Sequence, residues 1–211
     1  MSDYPVTAQT RLRRMPERGQ YDQATVHAIL DAGTVAHVGV LIDGAPVVIP
    51  TAYWRVGEDV LVHAARATRF ARALRSGQRA SLTVTLLDGW VLARSGFNHS
   101  VNYRSVMLFA VPEEVEDAES KNRLLDALIE RIVPGRAALV RPATAKELAA
   151  TAVFRLPLAE VSAKLRSGPP KDDEADLDWP VWAGVIPLAL TAAAAQPDPR
   201  QSAGLPGRPP L

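Results

Sequence analysis

Apolar and polar residues along this chain follow two periods, and the switches between them mark its elements. Asp22 stands where a helix N-cap belongs; Val26, Ile29 and Leu30 follow at helical spacing until Gly33 ends the run. The period then drops to two. Residues 34–42 are rich in β-branched side chains, Asp43-Gly44 is a tight-hairpin signal, and residues 45–56 return as a second strand. Pro46 and Pro50 point to an edge or a bulge in that strand. Gly57-Glu58-Asp59 turns into a third strand over 60–64, and a short helix is predicted over 68–76, closed by Gly77. Residues 79–87 and 90–95 read as a second hairpin turning at Asp88-Gly89, and 103–115 as a sixth strand. Helical period returns over 118–132, with Leu124, Leu125, Leu128 and Ile132 on one stripe, and Pro134-Gly135 stops it. Thr144 and Glu147 have capping-box spacing for a short helix over 144–151, and residues 153–165 alternate as a last strand. Six or seven short strands with turns between them predict a mainly β (α+β) fold, a barrel or sandwich flanked by helices.

Composition narrows the function classes. At 211 residues the chain fits one folded domain, expected over residues 21–188. An arginine-bearing extended arm is expected over 1–20 and a disordered, Pro-rich tail over 189–211. The net charge of +1 gives no electrostatic case for nucleic acid as a partner. With no cysteine there is no disulfide, thiolate metal site or cysteine nucleophile. No secretory leader and no apolar run of membrane-spanning length is read, so a cytoplasmic location is expected.

Four groups of residues carry candidate chemistry. Arg66, Thr68, Arg69 and Arg72 open the helix predicted after the third strand, a pattern suited to an anion or to an ordinary solvated basic helix. His63 ends that strand; it could orient a cofactor or serve as a structural histidine. Tyr103 and Ser105 share one strand face, with hydroxyls for a pocket or a rim. Lys164, Arg166 and Trp182 suit a planar ligand with anionic parts, or a tail anchored by its aromatic rings. A serine hydrolase is excluded by the absence of G-x-S-x-G, a dinucleotide fold by the absence of G-x-G-x-x-G, and no histidine has metal-ligand spacing.

The order of several short motifs adds a family resemblance. Ile49-Pro-Thr-Ala-Tyr53, Val62-His63 leading into Thr68-Arg69, Asp88-Gly-Trp-Val-Leu-Ala-Arg94, Asn102-Tyr-Arg-Ser-Val106, Ala163-Lys-Leu-Arg-Ser-Gly168 and Val181-Trp-Ala-Gly-Val-Ile-Pro187 occur in sequence. The set resembles flavin-nucleotide-binding proteins of the pyridoxamine 5'-phosphate oxidase-like superfamily, including the NimA-type nitroimidazole-resistance reductases. The resemblance implies a six-stranded split β-barrel and a homodimer with FMN at the subunit interface. It implies Thr51 and Tyr53 lining the flavin ring and Thr68 and Arg69 on the phosphate. His63 would face flavin and substrate as the catalytic residue, with Tyr103 and Ser105 near the cofactor and Lys164, Arg166 and Trp182 closing the pocket. It further implies an oxidoreductase of small molecules, nitro compounds among them, with NAD(P)H as electron donor. The alternative within the same fold is a non-catalytic binder of flavin, F420 or haem. Ala65 and Ala67 stand where many relatives carry serine or glycine, which shifts phosphate contacts to backbone N–H groups and Arg69.

Overall fold

A computed structural model describes residues 3–200. The last part of the expected tail, residues 201–211, lies outside the described residues. The first helix, α1 (Gln23–Ala32), starts where Asp22 accepts a 2.8 Å hydrogen bond from the Thr25 N–H, which also holds the Asp22 carboxyl below its usual pKa. Its apolar stripe, Val26, Ile29 and Leu30, is fully buried inside the barrel described next.

Among the described residues ten antiparallel strands form the sheet. The long ones are β2 (Val35–Ile42), β3 (Ala45–Val56), β4 (Asp59–Ala65), β5 (Ala80–Leu92), β6 (Ser100–Ala110), β8 (Thr151–Pro157) and β9 (Val161–Arg166). Three short ones, β1 (Gly19–Gln20), β7 (Glu113–Glu114) and β10 (Gly184–Pro187), dress the edges. Inside the short edge strands β1 and β7, the order β1-β9-β6-β5-β2-β3-β4-β8-β7 runs from β9 to β8, two strands that are consecutive in the chain. Residues 158–160 join them: Leu158 N–H donates to Glu58 O at 2.8 Å, and Phe109 N–H donates to Glu160 O at 2.9 Å. The sheet thereby closes on itself, and the expected split barrel is the observed architecture. The predicted strand over 153–165 is in fact two strands sharing a corner, one serving each end of the sheet.

The Asp43-Gly44 hairpin forms as predicted, with both residues at positive φ (52° and 78°). Asp88-Gly89 does not turn. β5 runs straight through it as a bulge between Leu87 and Gly89, and the true connection to β6 lies beyond Leu92. Long-range contacts override the local signal. The Arg104 guanidinium clamps both Asp88 oxygens at 2.9 and 2.7 Å, and β10 pairs with residues 89–92 from outside.

β3 changes partner midway. Its first eight residues pair with β2, and Tyr53 to Val56 pair with β4. Past Tyr53↔Val62 the two strands part, and β4 runs on against β8 alone. This opening, followed by α2 (Arg69–Leu74), is the split of the barrel. The helix α3 (Ala118–Ile132) crosses the outer side of β3, β4 and β8, and α4 (Ala145–Ala150) opens with the expected Thr144–Glu147 capping box. The Arg141 guanidinium, followed by the Thr144 capping contacts, holds the Glu147 carboxyl down to about 2.

Candidate functional site

His63 is the first residue of β4 beyond the last rung shared with β3, so it stands at the apex of the split. Alternation sends Val60 and Val62 into the barrel and Leu61 and His63 outward, beneath α3. Trp54, on the neighbouring strand, points the same way, and the two rings lie 5.9 Å apart, tilted by 54°. Leu124, Leu125, Ala127 and Leu128 of α3 pack against this layer without being fully buried. His63 Nδ1 and Trp54 Nε1 are both buried with no hydrogen-bond partner among the described residues. An unpaired buried polar atom costs about 1–3 kcal/mol, so two side by side call for an explanation. Burial also lowers the pKa of His63, which keeps the ring neutral.

Thr68 caps α2 as the sequence predicts, accepting from Ala71 N–H at 3.2 Å while its own hydroxyl donates to Ala65 O at 2.8 Å. Of the nearby arginines, Arg72 bonds the Ala67 carbonyl and Arg75 forks onto Glu114. Arg69 is exposed and has no ion-pair partner among the described residues. It lines a cleft of about 360 Å³ between α2 and the Asp43-Gly44 hairpin. Thr51 sits on the β3 side of the split, half-buried, its hydroxyl bonded only to Ala52 O at 3.4 Å. Thr51, His63 and the start of α2 therefore border one opening.

Tyr53 belongs elsewhere. It is 1% exposed, and its hydroxyl donates to Leu30 O at 2.6 Å. Burial, with the charge of Asp31 adding to it, pushes its pKa up to about 12. Alternation from outward Trp54 turns the Tyr53 ring, expected from the resemblance to line a flavin, into the core.

The remaining candidates gather on β6 and β9. Tyr103 pairs with Arg166 and Ser105 with Lys164, and the Ser105 hydroxyl donates to Lys164 O at 3.2 Å. The four therefore form one outward patch, separate from the split, and no hydrogen bond or ion pair joins the two among the described residues. Trp182 is 63% exposed and folds over Gly184, where an added Cβ would stand 2.8 Å from its ring. Two residues escaped sequence reasoning. Trp54 reads as an ordinary strand aromatic. Arg131 stands on the flank of the apolar stripe of α3, seven residues after Leu124, and its guanidinium donates to the carbonyls of Leu30 at 2.9 Å, Asp31 at 3.1 Å and Gly33, and covers the Tyr53 ring at 5.4 Å.

Comparison with known proteins fits this geometry. The family model for pyridoxamine 5'-phosphate oxidase matches residues 22–165. No curated protein matches the chain. Among solved structures, a flavocytochrome from Azotobacter vinelandii is 44% identical with a TM-score of 0.92, covering 96% of this chain and 94% of that one. The FAD and haem binding protein from Mycobacterium smegmatis is 38% identical with a TM-score of 0.87, covering 91% and 94%. A 5-nitroimidazole antibiotic resistance protein from Bacteroides thetaiotaomicron is 19% identical with a TM-score of 0.57, covering 68% and 83%, a likeness of fold alone. The particular likeness to the nitroimidazole branch read from the sequence thus gives way to one with flavocytochromes. On the family match and the two high-identity structures together, this chain belongs to the pyridoxamine 5'-phosphate oxidase family.

Proposed function

We propose that this protein is a redox protein that binds a flavin at the split of the barrel and a haem under α3, with His63 as the iron ligand. The observation that carries the reading is the pair of orphaned buried atoms, His63 Nδ1 and Trp54 Nε1. A histidine that ligates haem iron has to be neutral with a free ring nitrogen, and apolar and aromatic neighbours suit the macrocycle. His63 meets each condition, and the incompletely buried leucines of α3 supply the apolar wall. The resemblance to two proteins described as a flavocytochrome and as an FAD and haem binder supports the pairing of cofactors, and favours FAD over the FMN expected from sequence.

For the flavin, Thr51 borders the split, Thr68 fixes the start of α2, and Arg69 offers an uncommitted guanidinium for a phosphate. Tyr103, Ser105 and Lys164 lie on another face, so their contribution requires a second copy of the chain. The outer face of the sheet suits one. Val35, Leu41, Val48, Leu87 and Met107 are each at least two-fifths exposed on adjoining strands. When bound, the flavin supplies two-electron and the haem one-electron transfer. The protein's part is to hold the imidazole neutral, to exclude water beneath α3 and to bind the anionic end. As an enzyme it would take hydride from NAD(P)H and pass electrons to a small-molecule acceptor.

The test is the visible spectrum of the purified full chain, loaded with excess FAD and haemin. A Soret band together with flavin absorption is expected. His63→Gly should lose the Soret band, keep the flavin and recover the band on addition of imidazole. A Soret band unchanged in His63→Gly would overturn the iron-ligand assignment, and absence of flavin uptake would overturn the rest. Anaerobic bleaching of the flavin by NADH or NADPH tests the enzymatic step.

A further inference from the structure

Among the fifteen residues of α3 one is buried, and it is a lysine. Lys121 is 3% exposed, whereas Leu124, Leu125 and Leu128 are each only half-buried. A surface helix ordinarily buries its leucines and keeps its lysines in water, so polar contacts seat α3 more firmly than its apolar stripe does. Those contacts are alike at the two ends. The Lys121 ammonium donates to Leu148 O at 3.2 Å, near the end of α4, and has no ion pair among the described residues. Arg131 donates to Leu30 O, Asp31 O and Gly33 O at the end of α1, with the Asp31 carboxylate 3.5 Å away. The last carbonyls of a helix lack donors from a following turn and carry the negative end of its dipole, which suits a cation. Seven residues separate Lys121 from Leu128, and Leu124 from Arg131, so both cations share the leucine face. They stand about 15 Å apart along the helix axis, with the leucines between them over the Trp54–His63 layer. Arg131 also covers the ring of Tyr53, the residue before Trp54, which ties this end of α3 to the strand that carries the indole.

We propose that Lys121 and Arg131 are positioning residues, two polar clamps that hold α3 by its ends as a fixed roof and leave its leucines to close on haem. The proposal rests on the haem reading above and names what governs haem retention at that site. A helix seated by its leucines would have to give up core packing to receive an apolar macrocycle. A helix seated by cations on carbonyls at both ends keeps its place while its middle changes contacts. The roof is thereby preorganised, and binding does not have to order it. Each clamp opposes the lifting of α3 that release of a covered macrocycle requires, so loss of either acts on the dissociation rate.

Transfer of haem from the FAD- and haem-loaded full chain to excess apomyoglobin, followed at the Soret band, tests the clamps. Arg131→Gln and Lys121→Met, which keeps the aliphatic stem, should each speed haem loss roughly tenfold or more. FAD affinity should stay unchanged, because the split of the barrel uses neither residue. Arg131→Lys, which can reach part of the carbonyl set, should recover part of the retention. Haem loss at the parent rate in both variants would overturn the proposal. So would an equal weakening of FAD, the mark of a general loss of stability. Should Arg131→Gln fail to fold, Lys121→Met and Arg131→Lys carry the test. Amide exchange on the cofactor-free chain separates the clamps from the haem reading. Residues 118–132 should exchange faster in Lys121→Met and Arg131→Lys while β4 and β8 stay protected. A parent chain without a Soret band would overturn the haem reading and the ligand assigned to this roof, whereas unchanged exchange would overturn the clamps themselves.

Discussion

Tyr53 and Trp54 are neighbours on one strand that face opposite ways, and their polar atoms meet opposite ends. The Tyr53 hydroxyl is spent on Leu30 O, a carbonyl that also receives Arg131. Tyr53→Phe should therefore lower stability by about 1 kcal/mol in urea denaturation, since Leu30 O keeps one donor. Trp54 Nε1 has no hydrogen-bond partner among the described residues. In cofactor-free protein, Trp54→Phe should change stability by less than about 1 kcal/mol, because removing an unpaired donor offsets the lost ring area. A clearly larger loss would mean that the indole N–H has a partner. His63 yields a pH signature with a definite sign. Its folded-state pKa lies below the ordinary histidine value, so below about pH 6.5 the unfolded chain takes up a proton that the folded chain resists. Stability should fall as pH drops through that window, by at most about 1.4 kcal/mol per unit, and the slope should diminish in His63→Phe. Equal slopes in the two proteins would place the imidazole in water.

At the level of elements, what the sequence discloses and what it hides follow one rule. Signals that act within a few residues are legible: the Asp22 and Thr68 caps, the Asp43-Gly44 turn, the Thr144–Glu147 box. Signals set by distant partners are not. Asp88-Gly89 has the same composition as a hairpin turn, and only Arg104 from β6 and residues 184–187 from the C-terminal side make it a bulge. The break in residues 153–165 likewise depends on Glu58 and Phe109, far off in sequence. For the candidate site, His63, Thr68 and Arg69 are legible as a strand end running into a capped helix. The inward turn of Tyr53 depends on which face α3 covers, and that is tertiary information. Gly89 tests the bulge directly. A Cβ there would stand 3.0 Å from Ile186 O and 3.1 Å from Val185 Cγ1. Gly89→Val should release β10 and expose residues 184–187 to faster amide exchange, leaving the barrel strands protected. Unchanged exchange at β10 would refute the close approach.

For the whole molecule, the apolar outer face of β3, β2, β5 and β6 predicts that the protein sediments at twice the chain's 22.7 kDa. Val48, 64% exposed on that face, is the residue to change. Val48→Glu should shift the equilibrium to the single-chain mass without unfolding it, and a dimer that persists would move the interface elsewhere. Among the described residues no helix is long and apolar enough to cross a membrane.

The corner at residues 158–160 also has a consequence for synthesis. Strands from the first half of the chain cannot complete their ring until this late segment has left the ribosome. Until then β4 and β6 each lack a flanking strand on one side, with interior valines and leucines open to the cell. Nascent chains stalled before residue 158 should therefore recruit chaperones and resist release in native form, whereas stalls placed well past β9 should not.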